Sequence, residues 1–357
     1  MAFGIIDTSF IDWPANIDSA YLRGLQTRSG LQFTQLASAV DNAVGRINTL
    51  DDELLRALMA PPTTSEFAQG GRGGSMVATR KSQYTTARPQ YVEAAAHMLA
   101  IDEFEINMGW TEDGLMEMSL DNFNLQLDGL VNGFKRLHRA ETLGRLFSTA
   151  EAPVASGTTA TSPGFIGSGS GSNVFVGVYP DGTAVASNAT NYTRAASADL
   201  AATVKAARDK IKKFHAGPFD LITNATQVAA IQALTGYVSA GSELVRIGTG
   251  TAEALVDPMR YVGVYDNDIR IWQPLTDYTE DNIAIFKSYG DLDARNPLVW
   301  RYDPMRGAGA YVRTRELFPL AGASTFHKFG ANVWTRTGAA LIKIAASGNY
   351  GSPTLSY

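Results

Sequence analysis

The stretch TEDGLMEMSLDNFNLQLDGLVNGFKRLHRAETLGRLFST, residues 111–149, decides the fold class of this chain. Its apolar side chains recur at alternating spacings of four and three residues, which is the pattern of one face of an α-helix. The side chains that we expect to form the core face of this helix are Met116, Leu120, Phe123, Leu127, Leu130, Phe134 and Leu137. Thr111 is the expected N-cap, with Glu112 and Asp113 at the positive end of the helix dipole. Because the pattern lasts about three heptads, we expect a long helix lying across a sheet rather than a coiled coil.

Two blocks of opposite charge surround the start of this helix. Between residues 66 and 93 every charged side chain is basic, and the four are Arg72, Arg80, Lys81 and Arg88. From residue 93 to residue 121 every charged side chain is acidic, and the eight are Glu93, Asp102, Glu103, Glu105, Glu112, Asp113, Glu117 and Asp121. Such blocks suit docking between identical copies, and two solvated faces are the alternative. If the blocks dock, we expect the basic side chains to contact Glu103, Glu105, Glu112 and Asp113 of a neighbour.

The N-terminal third of the chain predicts an arm, two helical pieces and an extended loop. Residues 1–30 carry aromatic side chains with no period, so we expect them to lie as an arm over another surface. Residues 31–59 predict a helix in two pieces, the second capped by Thr49 and followed by a proline pair that ends it. Residues 63–100 have a glycine-rich tip followed by β-branched and aromatic residues, which favours an extended hairpin.

The rest of the chain predicts an α/β region followed by returning strands. Residues 151–196 are rich in Gly, Ser and Thr and predict a flexible connection, with a strand near residues 173–179. Ser197 and Asn224 are the expected caps of two helices, and residues 266–268 predict a hairpin turn. The other predicted strands are Phe219–Thr223, Met259–Tyr265, Ile269–Leu275, Ile283–Tyr289, Leu298–Tyr302, Gly309–Thr314, Ala331–Thr335 and Ala339–Ile344.

The composition excludes several classes of protein. The 357 residues hold 45% hydrophobic and 18% charged side chains, which excludes a disordered chain. A formal charge of −5 argues against a dedicated nucleic-acid binder, and the absence of cysteine excludes disulfides and thiolate sites. No apolar run approaches the roughly 18 residues of a membrane span, so we expect a soluble protein that is not exported.

The sequence holds no pattern that predicts catalysis or a bound ion. The four histidines, His97, His138, His215 and His327, lie far apart and are expected to be core or surface residues rather than metal ligands. No nucleophile elbow or phosphate-binding loop is present. We therefore expect no enzyme activity, no catalytic residue, no cofactor and no metal site.

The order of these features resembles the HK97-type major capsid proteins of tailed double-stranded DNA bacteriophages. The strand-to-helix step Phe219–Asn224 and the strand Gly263–Tyr265 are similar to the axial domain of that family. The resemblance implies an α+β fold of five regions. These are an N-terminal arm and helix (1–60), an extended E-loop (61–110), a peripheral domain with a long spine helix and a Gly/Ser-rich insertion (111–196), an axial domain (197–290), and return strands of the peripheral domain (291–357).

The resemblance also implies a function. It predicts a structural subunit that self-assembles as hexamers and pentamers into an icosahedral shell enclosing the phage genome, located in the virion after assembly in the host cytoplasm. The expected partners are other copies of the chain, portal and scaffolding proteins, a decoration or cement protein, and packaged double-stranded DNA, with no membrane partner. An encapsulin-like nanocompartment shell protein and a phage tail structural protein are the alternatives.

Two finer expectations concern DNA and covalent crosslinking. In the resembling fold, DNA would be contacted without sequence preference by basic residues toward the shell interior, and the candidates are Arg23, Arg28, Lys135, Arg136 and Arg139. The alternative is that these side chains complement the helix dipole or pair with a neighbouring residue. Some members of the family join an E-loop lysine to an asparagine of a neighbour, for which Lys81 with Asn332 or Asn349 would be the candidates. We do not expect that crosslink, because nothing in the sequence identifies the carboxylate that its chemistry needs.

Overall fold

The structure, a computed structural model, describes residues 33–49, 52–71, 94–111, 117, 119–148, 152–153, 161–162, 164, 192–195, 200–239, 259–274, 282–305, 309–317 and 320–344. The helices are α1 (Phe33–Asn48), α2 (Glu53–Leu58), α3 (Leu120–Phe147), α4 (Leu200–Lys212) and α5 (Ala225–Gln232). The first strands are β1 (Met59–Thr63), β2 (Phe67–Gly71), β3 (Ala94–Met98), β4 (Asp102–Thr111), β5 (Ala152–Pro153), β6 (Thr161–Ser162), β7 (Tyr192–Ala195) and β8 (Phe219–Ile222). The later strands are β9 (Tyr237–Ser239), β10 (Met259–Tyr265), β11 (Ile269–Pro274), β12 (Asn282–Phe286), β13 (Leu298–Tyr302), β14 (Tyr311–Leu317), β15 (Leu320–Val333) and β16 (Ala339–Ile344). The predicted α+β class is confirmed.

The long helix α3 is shorter than the sequence pattern predicted. It begins after Ser119, whose hydroxyl accepts a hydrogen bond from the Asn122 backbone N–H at 3.3 Å. The predicted cap at Thr111 is wrong, because Thr111 is the last residue of β4 and pairs with Leu320. From residue 103 to residue 111 the apolar side chains occupy every second position, and that two-residue period favours a strand. Of the acidic residues near the predicted start of the helix, Asp102, Glu103 and Glu105 therefore belong to the strand β4.

The first sheet is organised by β15, a strand of 14 residues. The strand order is β1-β13-β15-β14, and β4 pairs antiparallel with β15 from Asp102 to Thr111. Helix α3 lies across this sheet, and α1 packs on α3. The arrangement is a long helix on a sheet, as the amphipathic pattern predicted.

The segment that links α1 to the first sheet differs in detail from the prediction. Two helical pieces are present, but the cap of α2 is Asp52 and not Thr49, because the Asp52 carboxylate accepts from the backbone N–H groups of Leu54 and Leu55. The proline pair at 61–62 lies inside β1, which is an end strand of the sheet. Proline is tolerated there because an edge strand does not need every N–H group for pairing.

The second sheet has seven strands in the order β7-β16-β12-β8-β11-β10-β9. Helix α4 packs against β16, and its apolar face joins the strands in one core cluster that includes Val204, Ile211, Ile283 and Ile342. The predicted hairpin is confirmed, since β10 and β11 pair antiparallel around a turn in which Asp266 and Asn267 have positive φ angles. The predicted cap Asn224 is also confirmed, because its carboxamide oxygen accepts from the Gln227 N–H at 2.9 Å.

One apolar cluster connects the two sheets. The chain passes from the second sheet to the first between β12 and β13, and returns between β15 and β16. Side chains of both sheets and of α2 and α3 meet there, among them Leu55, Leu146, Trp300, Phe329 and Leu341. The two sheets therefore share part of their core.

Several predictions fall on residues that the structure does not describe. They are the arm at residues 1–30, most of the extended loop, the strand near 173–179 and the cap Ser197. Among the helices of the described ranges, none has the length and apolar character that crossing a membrane requires.

Candidate assembly surface

The strand β4 presents an acidic face at an edge of the first sheet. Phe104, Ile106 and Met108 are partly buried against the core beneath α3. Because side chains alternate along a strand, Glu103 and Glu105 lie on the opposite face of the sheet, where both are exposed. Within the described residues, β4 pairs with β15 alone. The surface thus combines two carboxylates with an unpaired strand edge, which is a place where another chain can approach.

Two aromatic rings lie beside these carboxylates, that of the half-buried Tyr311 and that of the buried Phe326. Glu105 lies opposite Phe326, and the Tyr311 ring stacks on Phe326 with ring centroids 5.5 Å apart. Glu103 lies opposite Lys328, but the Lys328 ammonium forms its ion pair with Asp303 at 2.7 Å. The Tyr311 hydroxyl donates to the Glu103 carboxylate at 3.3 Å. We call the group formed by Glu103, Glu105, Tyr311 and Phe326 the acidic face.

The other residues predicted for docking lie outside the part of the chain that the structure describes. The basic residues are Arg72, Arg80, Lys81 and Arg88, and the acidic ones are Glu112 and Asp113. Of the predicted docking residues, the structure therefore places two, Glu103 and Glu105, and it places them side by side on one surface.

The predicted core of the long helix lies between the sheet and α1. Phe123, Leu127, Leu130 and Phe134 are buried against apolar residues of β4 and α1, and Leu137 is partly buried. Gly133 lets the helix approach the sheet, since a Cβ atom there would lie 3.1 Å from the terminal carbon of Ile106. Met116 and the side chain of Leu120 lie outside the described residues.

One of the three described candidates for DNA contact is wrong. The Arg139 guanidinium binds the Asp52 carboxylate through two nitrogens, at 2.6 and 2.7 Å, and its side chain is 10% exposed. A buried, paired guanidinium cannot reach a phosphate. Lys135 is half-buried and Arg136 is exposed, so these two side chains of α3 remain candidates, while Arg23 and Arg28 lie outside the described residues.

A buried polar cluster fixes the segment that returns from the extended loop onto the sheet. Asn332 is fully buried, and its side-chain oxygen accepts from the Ala100 N–H at 2.5 Å and from the Ser162 hydroxyl at 3.0 Å. Its side-chain nitrogen donates to the carbonyls of Ala100 and Gly330 at 2.9 and 2.8 Å. With every hydrogen-bonding position used, Asn332 is not available as a crosslink acceptor.

Two further contacts hold the same segment, and sequence reasoning missed them. The Arg301 guanidinium donates to the Leu99 carbonyl at 2.6 Å, and the His97 Nε2 atom lies 2.7 Å from the Val333 carbonyl oxygen. At Gly330 a Cβ atom would lie 2.2 Å from the Ala100 carbonyl oxygen, so only glycine fits. A glycine inside a strand pattern signals a close backbone approach, and that signal was present in the sequence.

The described residues offer no metal centre: no three His, Asp or Glu side chains among them come together in a way that could hold an ion. The chemistry that this surface can perform is association through charge, aromatic contact and strand pairing.

No protein-family model matches this chain, and no curated protein matches it. Solved structures do. A chain of Mycobacterium phage Patience matches with a TM-score of 0.58 and 17% identity, over 92% of this chain and 92% of that chain. The capsid of a native GTA particle matches with a TM-score of 0.49 and 14% identity, over 82% of this chain and 90% of that chain. The capsid of the cyanophage P-SCSP1u matches with a TM-score of 0.47 and 11% identity, over 81% of this chain and 87% of that chain.

The similarity to the Mycobacterium phage Patience chain shows that the two chains share a fold. The predicted resemblance to a phage protein is thereby confirmed at the level of the fold.

Proposed function

We propose that this chain is the major capsid protein of a tailed double-stranded DNA bacteriophage. The observation that carries the proposal is the fold shared with a phage protein over 92% of both chains. The order of arm, extended loop, long helix on a sheet and second sheet supports it, because that order resembles the HK97-type capsid proteins. In this role the chain assembles as hexamers and pentamers into an icosahedral shell, in the host cytoplasm, and resides in the virion.

The five regions implied by the resemblance are part of the same proposal. The first sheet with α3 serves as the peripheral domain, and α4, α5 and the strands β8 to β12 of the second sheet serve as the axial domain. The strands β7 and β16, which complete the second sheet, lie outside residues 197–290. Portal and scaffolding proteins, a decoration protein and packaged DNA are the partners of such a subunit. Contact with DNA is non-specific and includes the exposed Arg136.

The acidic face is the docking site for the basic loop of a neighbouring copy. Glu103 and Glu105 are exposed side by side, and Arg80 and Lys81 are adjacent in the stretch between residues 66 and 93, the basic loop, in which every charged residue is basic. Complementary charges of this kind select the partner and its register, and in a closed shell the contact is repeated many times. Individually weak ion pairs are sufficient for that reason.

Electron microscopy of the expressed full chain in negative stain tests the capsid role. Closed shells, or separate rings of five or six subunits, are the expected result. Tubes would favour a tail structural protein, and a chain that stays monomeric at every concentration would contradict the proposal.

Charge reversal tests the docking site separately. The double variant Arg80→Glu/Lys81→Glu should block shell formation, because two attractive contacts between subunits become repulsive. The circular dichroism of the subunit should remain unchanged. The matched control is Lys212→Glu/Lys213→Glu, which makes the same change of charge at two exposed lysines at the end of α4.

A rescue variant identifies the partner residues. Adding Glu103→Lys/Glu105→Lys to the loop variant should restore shells, since attraction returns with the charges exchanged. Normal shells from the loop variant at low salt would show that the basic loop is not held by charge, and would leave the capsid proposal standing.

A further inference from the structure

Two histidines that are 189 residues apart in the sequence meet inside the protein. His138 lies in the middle of α3 and His327 lies in β15, and the His138 Nε2 atom is 2.8 Å from the His327 Nδ1 atom. Their residues are 4% and 1% exposed. One hydrogen lies between the two nitrogens, so one ring donates and the other accepts. We call these two residues the histidine pair.

The surroundings of the histidine pair are aromatic. The Trp300 and Phe329 rings lie 5.1 and 4.9 Å from the His138 ring, measured between centroids. The Tyr302 ring stacks on the His327 ring at 5.7 Å. The Nε2 atom of His327 is buried and has no hydrogen-bond partner within the described part of the chain. Such a pocket accepts two neutral rings and offers little solvation to a charged one.

The charged and titratable groups around the histidine pair do not favour a positive charge. On α3, Lys135 repels a charged His138, and Arg139 is already paired with Asp52. On β13, burial raises the pKa of Tyr302, so its hydroxyl stays neutral. On β15, Lys328 is paired with Asp303.

On β4, Phe104 belongs to both core clusters beside the pair, and its uncharged ring lies 5.1 Å from the Phe329 ring, between centroids. The titratable residue on the same face of β4 is Asp102, opposite Phe329, and burial raises the pKa of its carboxyl while Arg145 acts in the opposite direction. Among the described residues, neither ring of the pair forms an ion pair with a carboxylate.

We propose that the histidine pair is an acid-sensitive lock between the long helix α3 and the first sheet. At neutral pH the two uncharged rings hold helix and strand together through a buried hydrogen bond. On acidification an imidazole of the pair binds a proton more readily in the open form, in which water reaches the ring. A fall in pH therefore shifts the equilibrium toward the open form, in which α3 is separated from the sheet.

The direction of the pH effect follows from the pKa values. Burial lowers the pKa of His327 to about 4, and burial, then His327, then Lys135 lower the pKa of His138. An exposed histidine titrates near 6.5, so the open form binds more protons than the closed form between those pH values. The closed form is therefore favoured most above about pH 6.5, and this preference falls progressively as the pH falls from about 6.5 toward 4. For His327 by itself, the closing equilibrium falls about twentyfold from pH 7 to pH 5.

Hydrogen exchange followed by mass spectrometry on the full chain tests this lock. After correction for intrinsic exchange rates, amides of α3 near residues 130–142 and of β15 near 322–333 should lose protection about twentyfold or more between pH 7 and pH 5. Amides of β8 and β12 in the second sheet should change less. Because burial also lowers the pKa of His215 beside the second sheet, the two sheets are compared in the His215→Gln variant, in which equal loss in both sheets, or no loss at all, would overturn the proposal.

Variants assign the effect to the histidine pair. In His138→Gln/His327→Gln the two groups no longer titrate, so the difference between pH 7 and pH 5 in α3 and β15 should disappear. The single variant His138→Gln keeps an amide donor next to His327 and should leave part of the effect.

His215→Gln is the matched control. Burial, then Lys287, also lower the pKa of His215 to about 4, but His215 lies away from the pair, between Tyr289 and Thr337. The His215→Gln variant should leave the loss of protection in α3 and β15 between pH 7 and pH 5 unchanged. If that pH dependence disappeared in this variant, the result would count against the proposal. If the double variant does not fold, the comparison of the two sheets in the His215→Gln variant still decides the question.

Discussion

Asp52 performs two structural tasks with one carboxylate. One oxygen caps α2 by accepting from the N–H groups of Leu54 and Leu55, and the other binds the guanidinium of Arg139. The side chains of Asp52 and Arg139 are 17% and 10% exposed, so water screens this ion pair little. Asp52 therefore ties the short helix before the first sheet to the long helix that lies on it.

The Asp52→Asn variant should lower the free energy of unfolding by about 3 kcal/mol, because it leaves a buried guanidinium without its carboxylate. The measurement is denaturant unfolding followed by circular dichroism. Asp128→Asn is the control: its ion pair with Arg46 is nearly half exposed and should contribute no more than about 1 kcal/mol. Equal costs for the two variants would contradict the burial of the Asp52 pair.

At the scale of the element, the long helix α3 has one buried face and one exposed face. Leu127 is 3% exposed within the core cluster beneath the helix, whereas Leu125, two residues earlier, is 71% exposed. The 3.6-residue period explains this contrast, since positions two apart point to different sides of a helix.

The Leu127→Ala variant should cost about 2–5 kcal/mol of stability, because it removes apolar contacts and leaves a cavity. Leu125→Ala makes the same chemical change on the exposed face and should leave the unfolding midpoint nearly unchanged. A shift for Leu127→Ala no larger than that of Leu125→Ala would show that this face of the helix does not pack on the sheet.

At the scale of the whole molecule, the two sheets are coupled through shared strand connections and a shared core. Neighbouring residues of β16 contact different clusters: Leu341 packs with Trp300 and Phe329 between the sheets, and Ile342 packs in the core of the second sheet beneath α4. Both side chains are fully buried.

The Leu341→Ala variant should reduce hydrogen-exchange protection in both sheets, in β13 as well as in β12, because it weakens the core they share. Ile342→Ala, with a cavity of similar size, should reduce protection in β8 and β12 and spare β13. Unchanged protection of β13 in Leu341→Ala would mean that the sheets unfold independently.

Elements with a strong local pattern could be predicted from the sequence. The helix α3, the hairpin of β10 and β11 and the cap Asn224 depend on contacts between residues close in the chain, so periodicity and turn chemistry were sufficient. The strand β16 was predicted from its run of apolar residues, although its partners β12 and β7 are distant in the chain. The start of α3 was misplaced because an acidic stretch suits a helix N-terminus and an alternating edge strand equally well. Glu103 and Glu105 were identified as a charged pair, but nothing local indicated that they share one face of a sheet with Tyr311 and Phe326.

What the tertiary structure decided is which distant side chains become buried together. In the sequence, Arg139 is one of several basic residues near the end of a helix. Its ion pairing depends on Asp52, which lies 87 positions away. Asn332 is buried because the segment at Ala100, 232 positions away, crosses over it, and His138 meets His327 across 189 positions. Hydrogen bonding within helices and turns is local, so the amino-acid sequence by itself determined those elements. The burial, pairing and pKa of a polar side chain depend on the neighbours that folding supplies, so those properties belong to the tertiary structure.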